Sequence, residues 1–299
     1  MSQQPEISIV ICTYNRDKFI KGALYSLTKQ TLDPKKFEII IVNNNCTDST
    51  DAIVTDFIKA FPTLNINYVF QPIKGLSAAR NKGIEVAKSN IISYMDDDGE
   101  ADENYLEEVL TYLRKHPEVA GVGGKILPIF ESGEPDWANK WLNGLFSIVD
   151  HGETIMPFKG KTYPAGCNMV YRKDLLEEVG GFNEALKWRA DDKYINREVK
   201  KINDSIIYLP SAIIHHNIDD YRVTKKNFIK ISKATGRDES IRVRSISIFH
   251  YLLKFAEYLF KLFAAGLISL PFFLKGQFTK GIYILKFRWY ALVGLLGFQ

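Results

Sequence analysis

Three successive carboxylates, Asp96, Asp97 and Asp98, close the apolar run Ile91, Ile92, Ser93, Tyr94, Met95. A short run of this kind reads as a strand that delivers the acids together to its end. Adjacent carboxylates repel one another, so they need either water or a cation that shares their charge. Alternate residues of an extended chain point the same way, which lets Asp96 and Asp98 meet one ligand while Asp97 points elsewhere. Hard oxygen ligands suit Mg2+ or Mn2+, ions that take few protein groups and leave positions open for phosphate oxygens. The alternative is a solvated acidic turn ahead of a helix over residues 102–115.

The elements that must position these acids alternate. A strand over Ile7–Cys12 leads through Thr13, Tyr14, Asn15 and Arg16 into an amphipathic helix over 17–29. A second strand, Phe37–Val42, ends in Asn43, Asn44, Asn45, Cys46, Thr47 and Asp48 before a helix to Phe61. A third, Ile66–Phe70, precedes Gly75 to Asn81 and a helix to Lys88, and the acid-bearing strand is the fourth. Four strand–helix alternations predict an α/β fold with a mainly parallel sheet covered on both faces, where ligands bind at the carboxyl ends of the strands. Every polar cluster just named lies at such an end. No Gly-x-Gly-x-x-Gly follows the first strand, which counts against a dinucleotide-binding dehydrogenase. Beyond Val119 the spacing of Gly121, Gly123, Gly124, Pro128, Gly133 and Pro135 predicts short broken strands. A strand to Arg172, a helix from Lys173 to Gly180-Gly181, a helix to Lys201 and two strands near 206–209 and 212–216 follow. The expected organisation is a catalytic domain over 1–244, with a nucleotide half to 118 and an acceptor half from 119, and an appendage over 245–299.

At 299 residues, 46% apolar and 25% charged, the chain can bury a full core. A formal charge of +4 is too small at this length to make nucleic acid its main partner. Cys12, Cys46 and Cys167 are widely spaced, which suggests neither a zinc site nor a disulfide framework and fits a reducing cytosol. The polar start, Met1 to Glu6, runs straight into a strand and leaves no room for a secretory signal, so the expected location is cytoplasmic.

In order along residues 6–220, Ser8 to Arg16 with its TYNR turn, VNNNCTD at Val42 to Asp48, GLSAARN at Gly75 to Asn81, MDDD at Met95 to Asp98, GCNMVYRK at Gly166 to Lys173 and GGF at Gly180 to Phe182 resemble the family 2 nucleotide-sugar glycosyltransferases. The resemblance implies the GT-A fold and inverting transfer, with Mg2+ or Mn2+ held by Asp98 and Asp96. It implies a nucleotide-sugar donor, a UDP-sugar first among them, and a saccharide or lipid-linked saccharide acceptor. Thr13, Tyr14, Arg16, Asn43, Arg80 and Asp97 then belong to the donor side. Tyr14 either stacks on the base or is a packed core aromatic. Asn43 stands where the family usually has an acid, and its amide still offers both a donor and an acceptor. Asp48 reads as a helix cap. The general base corresponds to Asp191, with Asp192 the next candidate. The family often has Glu where this chain has Ala190, and Leu where it has Tyr194. One of His215 and His216 matches a histidine that GT-A enzymes bring to the metal or diphosphate, and His215 is taken as that ligand. Trp137, Trp141 and Trp188 offer flat faces to sugar rings or pack ordinarily. Cys12 reads as a small core residue.

From Ile246 to Phe298 the chain turns apolar and aromatic, interrupted by Lys254, Glu257, Lys261, Lys275, Lys280, Lys286 and Arg288. Its longest uncharged run, Leu262 to Leu274, is thirteen residues, short of the roughly twenty that a spanning helix needs. The expectation is interfacial helices in peripheral contact with the inner face of the cell membrane, against the alternatives of a packed hairpin or an oligomer contact. Two other functions stay open on sequence: a nucleotidyltransferase, and a catalytically silent sugar-nucleotide-binding protein.

Overall fold

β-Branched residues dominate the first two strands, β1 (Ile7–Thr13) and β2 (Phe37–Asn43), and both are buried on both faces. That pattern belongs to inner strands of a parallel sheet. The computed structural model describes residues 4–160, 162–185 and 191–297. The expected alternation is present: α1 (Asp17–Leu27) follows β1, α2 (Thr50–Ala60) follows β2, and β3 (Ile66–Phe70), α3 (Leu76–Val86) and β4 (Ile91–Asp96) complete it. Next come β5 (Gly99–Ala101), α4 (Tyr105–Lys115), β6 (Gly121–Phe130), β7 (Met156–Pro157), β8 (Met169–Arg172), α5 (Lys173–Glu178), α6 (Asp191–Ile202) and β9 (Ile206–Ile218).

Among the described residues nine strands form one sheet in the order β3-β2-β1-β4-β8-β6-β9-β5, with β7 also on β9. β1 pairs in parallel with β2 and β4, and β2 with β3, while β4 and β8 run antiparallel. Alternation along the strands builds a core on each face. Ile7, Ile9 and Ile11 meet Leu24 of α1, Phe57 of α2 and Leu110 of α4 on one side; Val10 and Ile40 meet Ile84 of α3, Leu176 of α5 and Ile195 of α6 on the other.

Two expectations about breaks in the chain are corrected. The glycines of residues 121–124 lie inside one ten-residue strand, because a Cβ at Gly124 would fall 1.7 Å from the carbonyl oxygen of Ala212. They mark close strand approach, not turns. Likewise residues 206–218 form one strand through Pro210. That proline sits between the stretch paired with β7, at Ile207 and Tyr208, and the stretch paired with β5, at Ile214 to His216, outside both of those ladders.

The chain divides into two compact units, Met1–Pro128 with Ile148–Asn217, and Ile129–Ser147 with Ile218–Gln299. After the short α7 (Asp220–Val223), α8 (Lys225–Arg244) packs with the later helices α9 (Ile248–Leu274) and α10 (Phe278–Leu296). A Cβ at Gly236 of α8 would fall 1.8 Å from the carbonyl oxygen of Ala291 in α10, a backbone approach only glycine permits. In this second unit Trp137 is buried and stacks on Tyr283, 4.9 Å between centroids, whereas Trp141 is exposed. Trp188 and Ala190 lie outside the described residues.

Candidate active site

The register of the sheet sets Thr13 beside Asn43 and Cys12 beside Asp96, so the polar clusters that follow three strands share one edge of the first unit. The turn after β1 is locked to the turn after β2. Asn15, with φ of 52°, accepts the Thr47 N–H at 2.8 Å, and the Asp17 N–H donates to Asp48. Asp48 also accepts from the Thr50 N–H, so it ties the starts of two helices together. Thr13 is buried. Tyr14 is 46% exposed, with the Lys74 ammonium on its hydroxyl, and is therefore not a core aromatic. Asn43 is buried; it donates to the Tyr68 hydroxyl and accepts the Cys46 N–H, both at 2.8 Å. Much of its amide is thus engaged in bracing its own loop. Asn44, not singled out by sequence reasoning, donates to the Gln71 and Ile73 carbonyls and accepts the Gly75 N–H, fixing the entry to α3.

Each of the three acids meets a protein cation. Arg16 places Nε 3.5 Å from Asp97 and Nη2 3.3 Å from Asp98. Asp96 pairs with Nη2 of Arg80 at 3.1 Å. Burial, opposed by Arg16, pushes the Asp97 carboxyl up to about 7. The imidazole beside the acids belongs to His216, whose Nε2 lies 3.3 Å from Asp98, and not to His215, the residue the sequence favours. The physical reason is register: β9 sets His216 opposite Gly99 and His215 opposite Glu100, and neighbouring strand residues face opposite ways.

Arg80 is the buried centre of the site, 2% exposed. Its Nη1 is ion-paired with Asp191, and its Nη2 also donates to the Gly166 carbonyl at 3.0 Å. Its guanidinium lies over Phe182 and Tyr94, 5.5 and 5.9 Å from the ring centroids. Burial works against the charge, and Asp191 and Asp96 more than offset it, so the pKa of Arg80 is raised. Asn81 explains why GLSAARN and GGF occur together: its side chain accepts the Phe182 N–H and donates to the Phe182 carbonyl, holding the ring against Arg80. Asp191 is buried at the first residue of α6. Asp192 accepts the Gly166 N–H at 3.3 Å, and burial together with Asp191 raises its pKa. Burial, with the same two acids, pushes the Tyr163 hydroxyl up to about 12, which marks a neighbour that no sequence motif flagged. Cys12 is half-buried against the second core, and burial pushes its thiol up to about 12.

No three His, Cys, Asp or Glu side chains among the described residues form a ready-made metal cage. The carboxylates of Asp98 and Asp96, at and just past the end of β4, and the imidazole of His216 beside Asp98 are donors of the type a hard divalent ion takes.

Residues 8–180 match the model of glycosyl transferase family 2. Asp191 and His216 lie beyond that stretch. The chain is 24% identical over 232 residues to a glucosyl-dolichyl phosphate glucuronosyltransferase of Haloferax volcanii, covering 73% of this chain and 71% of that protein. It is 34% identical over 221 residues to the putative glycosyltransferase EpsH of Bacillus subtilis, covering 72% and 62%. Among solved structures, S. aureus TarS residues 1–349 in complex with UDP-GlcNAc shares the fold, with a TM-score of 0.57 at 20% identity over 77% of this chain and 65% of that one. The chain thus spans slightly under two thirds of EpsH and of the TarS fragment.

Proposed function

The chain belongs to glycosyl transferase family 2, and from that premise we propose an inverting enzyme that moves a sugar from a UDP-sugar to a saccharide or lipid-linked saccharide in cell-surface glycan synthesis. The observation that carries this reading is the single guanidinium of Arg80 joining Asp96, at the acid-bearing strand end, to Asp191 on α6. One side of that link suits a diphosphate and its cation, the other an acceptor hydroxyl. Family membership removes the nucleotidyltransferase alternative. The UDP-GlcNAc named for TarS supports the donor class, and the dolichyl phosphate-linked sugar named for the Haloferax enzyme supports a lipid-linked acceptor.

In the proposed reaction the acceptor hydroxyl gives its proton to Asp191 as its oxygen attacks the anomeric carbon, and the nucleoside diphosphate departs from the opposite face with the bonding electrons. Arg80 fixes the carboxylate in place. When bound, Mg2+ or Mn2+ held by Asp98, His216 and Asp96 supplies positive charge to the leaving diphosphate. Arg16 adds a second positive charge at Asp98, and Tyr14 offers an exposed ring to the base. Asp192 is the second reading for the base, favoured by its raised pKa. The three free thiols support a reducing, cytoplasmic setting, with the C-terminal helices in peripheral contact with the inner membrane face.

A panel of nucleotide sugars, incubated with acceptors in the presence of Mn2+ or of a chelator and scored by nucleoside diphosphate release, tests the reading. Release from a UDP-sugar that the chelator suppresses supports it. Metal-dependent nucleotide binding with no release from any donor points to the catalytically silent protein instead.

A further inference from the structure

Helix α9 carries its charges toward the protein and its apolar side chains outward. Lys254 reaches Glu239 of α8 at 3.0 Å and Glu257 at 2.6 Å, and Lys261 pairs with Glu257. Ser269, buried, donates to the carbonyls of Ala265 and Gly281. The opposite face repeats at alternating steps of four and three through Phe249, Leu253, Ala256, Phe260, Phe263, Leu267 and Leu270. All seven are exposed, Phe260 at 68% and Phe263 at 67%. A surface helix of a water-bathed domain has the reverse arrangement. The sequence's uninterrupted run of thirteen understates this element: α9 is one helix of 27 residues, long and apolar enough by length and composition to cross a membrane.

We propose that the C-terminal unit docks α9 in the plane of an anionic lipid bilayer, with the outward stripe seated at the acyl boundary. The proposal rests on the transferase reading and names the partner surface for it. In-plane seating follows from the charges: Lys254, Glu257 and Lys261 engage one another and the polar helix α8, which a spanning helix would carry into hydrocarbon. The anionic partner follows from residues 218–299, where fourteen Lys and Arg face five Asp and Glu although the whole chain has a formal charge of only +4. Lys225, Lys226 and Lys230 are exposed on α8, and Lys275 directly follows Leu274, which is also exposed. A second copy of the chain fits less well. Leu252 and Leu259 widen the stripe where a coiled-coil seam would carry paired charges, and a symmetric contact would set basic surface against basic surface.

The test is co-sedimentation of the full chain with vesicles of phosphatidylcholine alone and of phosphatidylcholine mixed with phosphatidylglycerol, at low and high salt. Binding is expected only with phosphatidylglycerol, weakened by salt and lowered at least about tenfold by Phe260→Asp with Phe263→Asp. Lys225→Glu with Lys230→Glu, an independent pair on an exposed face, is expected to lower it by roughly fivefold per lysine. Circular dichroism checks that each variant is folded. The proposal is overturned if the unaltered chain stays in the supernatant with anionic vesicles, or if both variant pairs bind as well as it does. It is equally overturned if sedimentation equilibrium shows a dimer that the phenylalanine pair dissociates without changing vesicle binding. Nucleoside diphosphate release in the same samples keeps the two readings apart: release without vesicle binding removes only the docking, and vesicle binding without release from any donor removes only the transferase.

Discussion

Arg80, in the middle of α3, is ion-paired with Asp191 at the first residue of α6, more than a hundred positions later in the chain, and neither side chain is open to water. The pairing ties the proposed base to the acid-bearing strand end through one planar group. Removing the arginine strands two carboxylates, one of them buried. Arg80→Met is therefore expected to cost about 3–5 kcal/mol of stability, read from urea unfolding, because breaking a buried pair leaves an uncompensated charge. Arg80→Lys keeps a charge but not the fork, and should recover part of the stability while transfer stays at least about tenfold down. Wild-type transfer in Arg80→Lys would show that the fork has no role in positioning Asp191.

The two adjacent histidines separate by register. His216→Ala is expected to weaken Mn2+-dependent UDP binding by about tenfold, measured by titration calorimetry, as loss of a ligand or its support does. His215→Ala, on the other face of β9, should leave that affinity within about twofold. The reverse ranking would return the ligand role to His215.

Asp97 gives a pH signature. Its folded pKa of about 7 stands above the roughly 3.9 of an unfolded aspartate, so between those values the unfolded chain releases this proton and the folded chain keeps it. The contribution is fully favourable below about pH 4 and is lost as pH rises through 7. In chelator, urea unfolding should show Asp97→Asn gaining stability relative to the unaltered protein between pH 5 and pH 8. A parallel pH dependence in both proteins would contradict that assignment of cause.

The alternating half of the sheet was readable because each strand is a run of β-branched residues with a polar cluster at its end, as at Ile7–Thr13 and Phe37–Asn43. Beyond it, local signals misled for physical reasons. Gly124 looks like a turn residue, yet it makes room for the Ala212 carbonyl of a strand some ninety positions on. Pro210 looks like a strand break, yet it falls where the two short partners of β9 leave a gap. Arg80 was legible as a donor-side residue; its buried link to Asp191 was not, because no spacing in the sequence encodes a contact between α3 and α6. The sequence narrowed the histidine to two, and only the pairing of β9 with β5 distinguishes them. The packing of α8 on the apolar helices was not legible, because α8 is hydrophilic in composition and joins them through a close approach at Gly236.

The proton acceptor is the centre of the account, and Asp191→Asn tests it most directly. UDP release from the preferred donor in the presence of acceptor should fall by about 10²–10⁴-fold, the worth of a positioned general base, while calorimetric binding of UDP with Mn2+ stays unchanged. Asp192→Asn, measured alongside, should retain most of the activity. Release by Asp191→Asn at the rate of the unaltered protein, or the full loss appearing in Asp192→Asn instead, would contradict the assignment of Asp191 as the base.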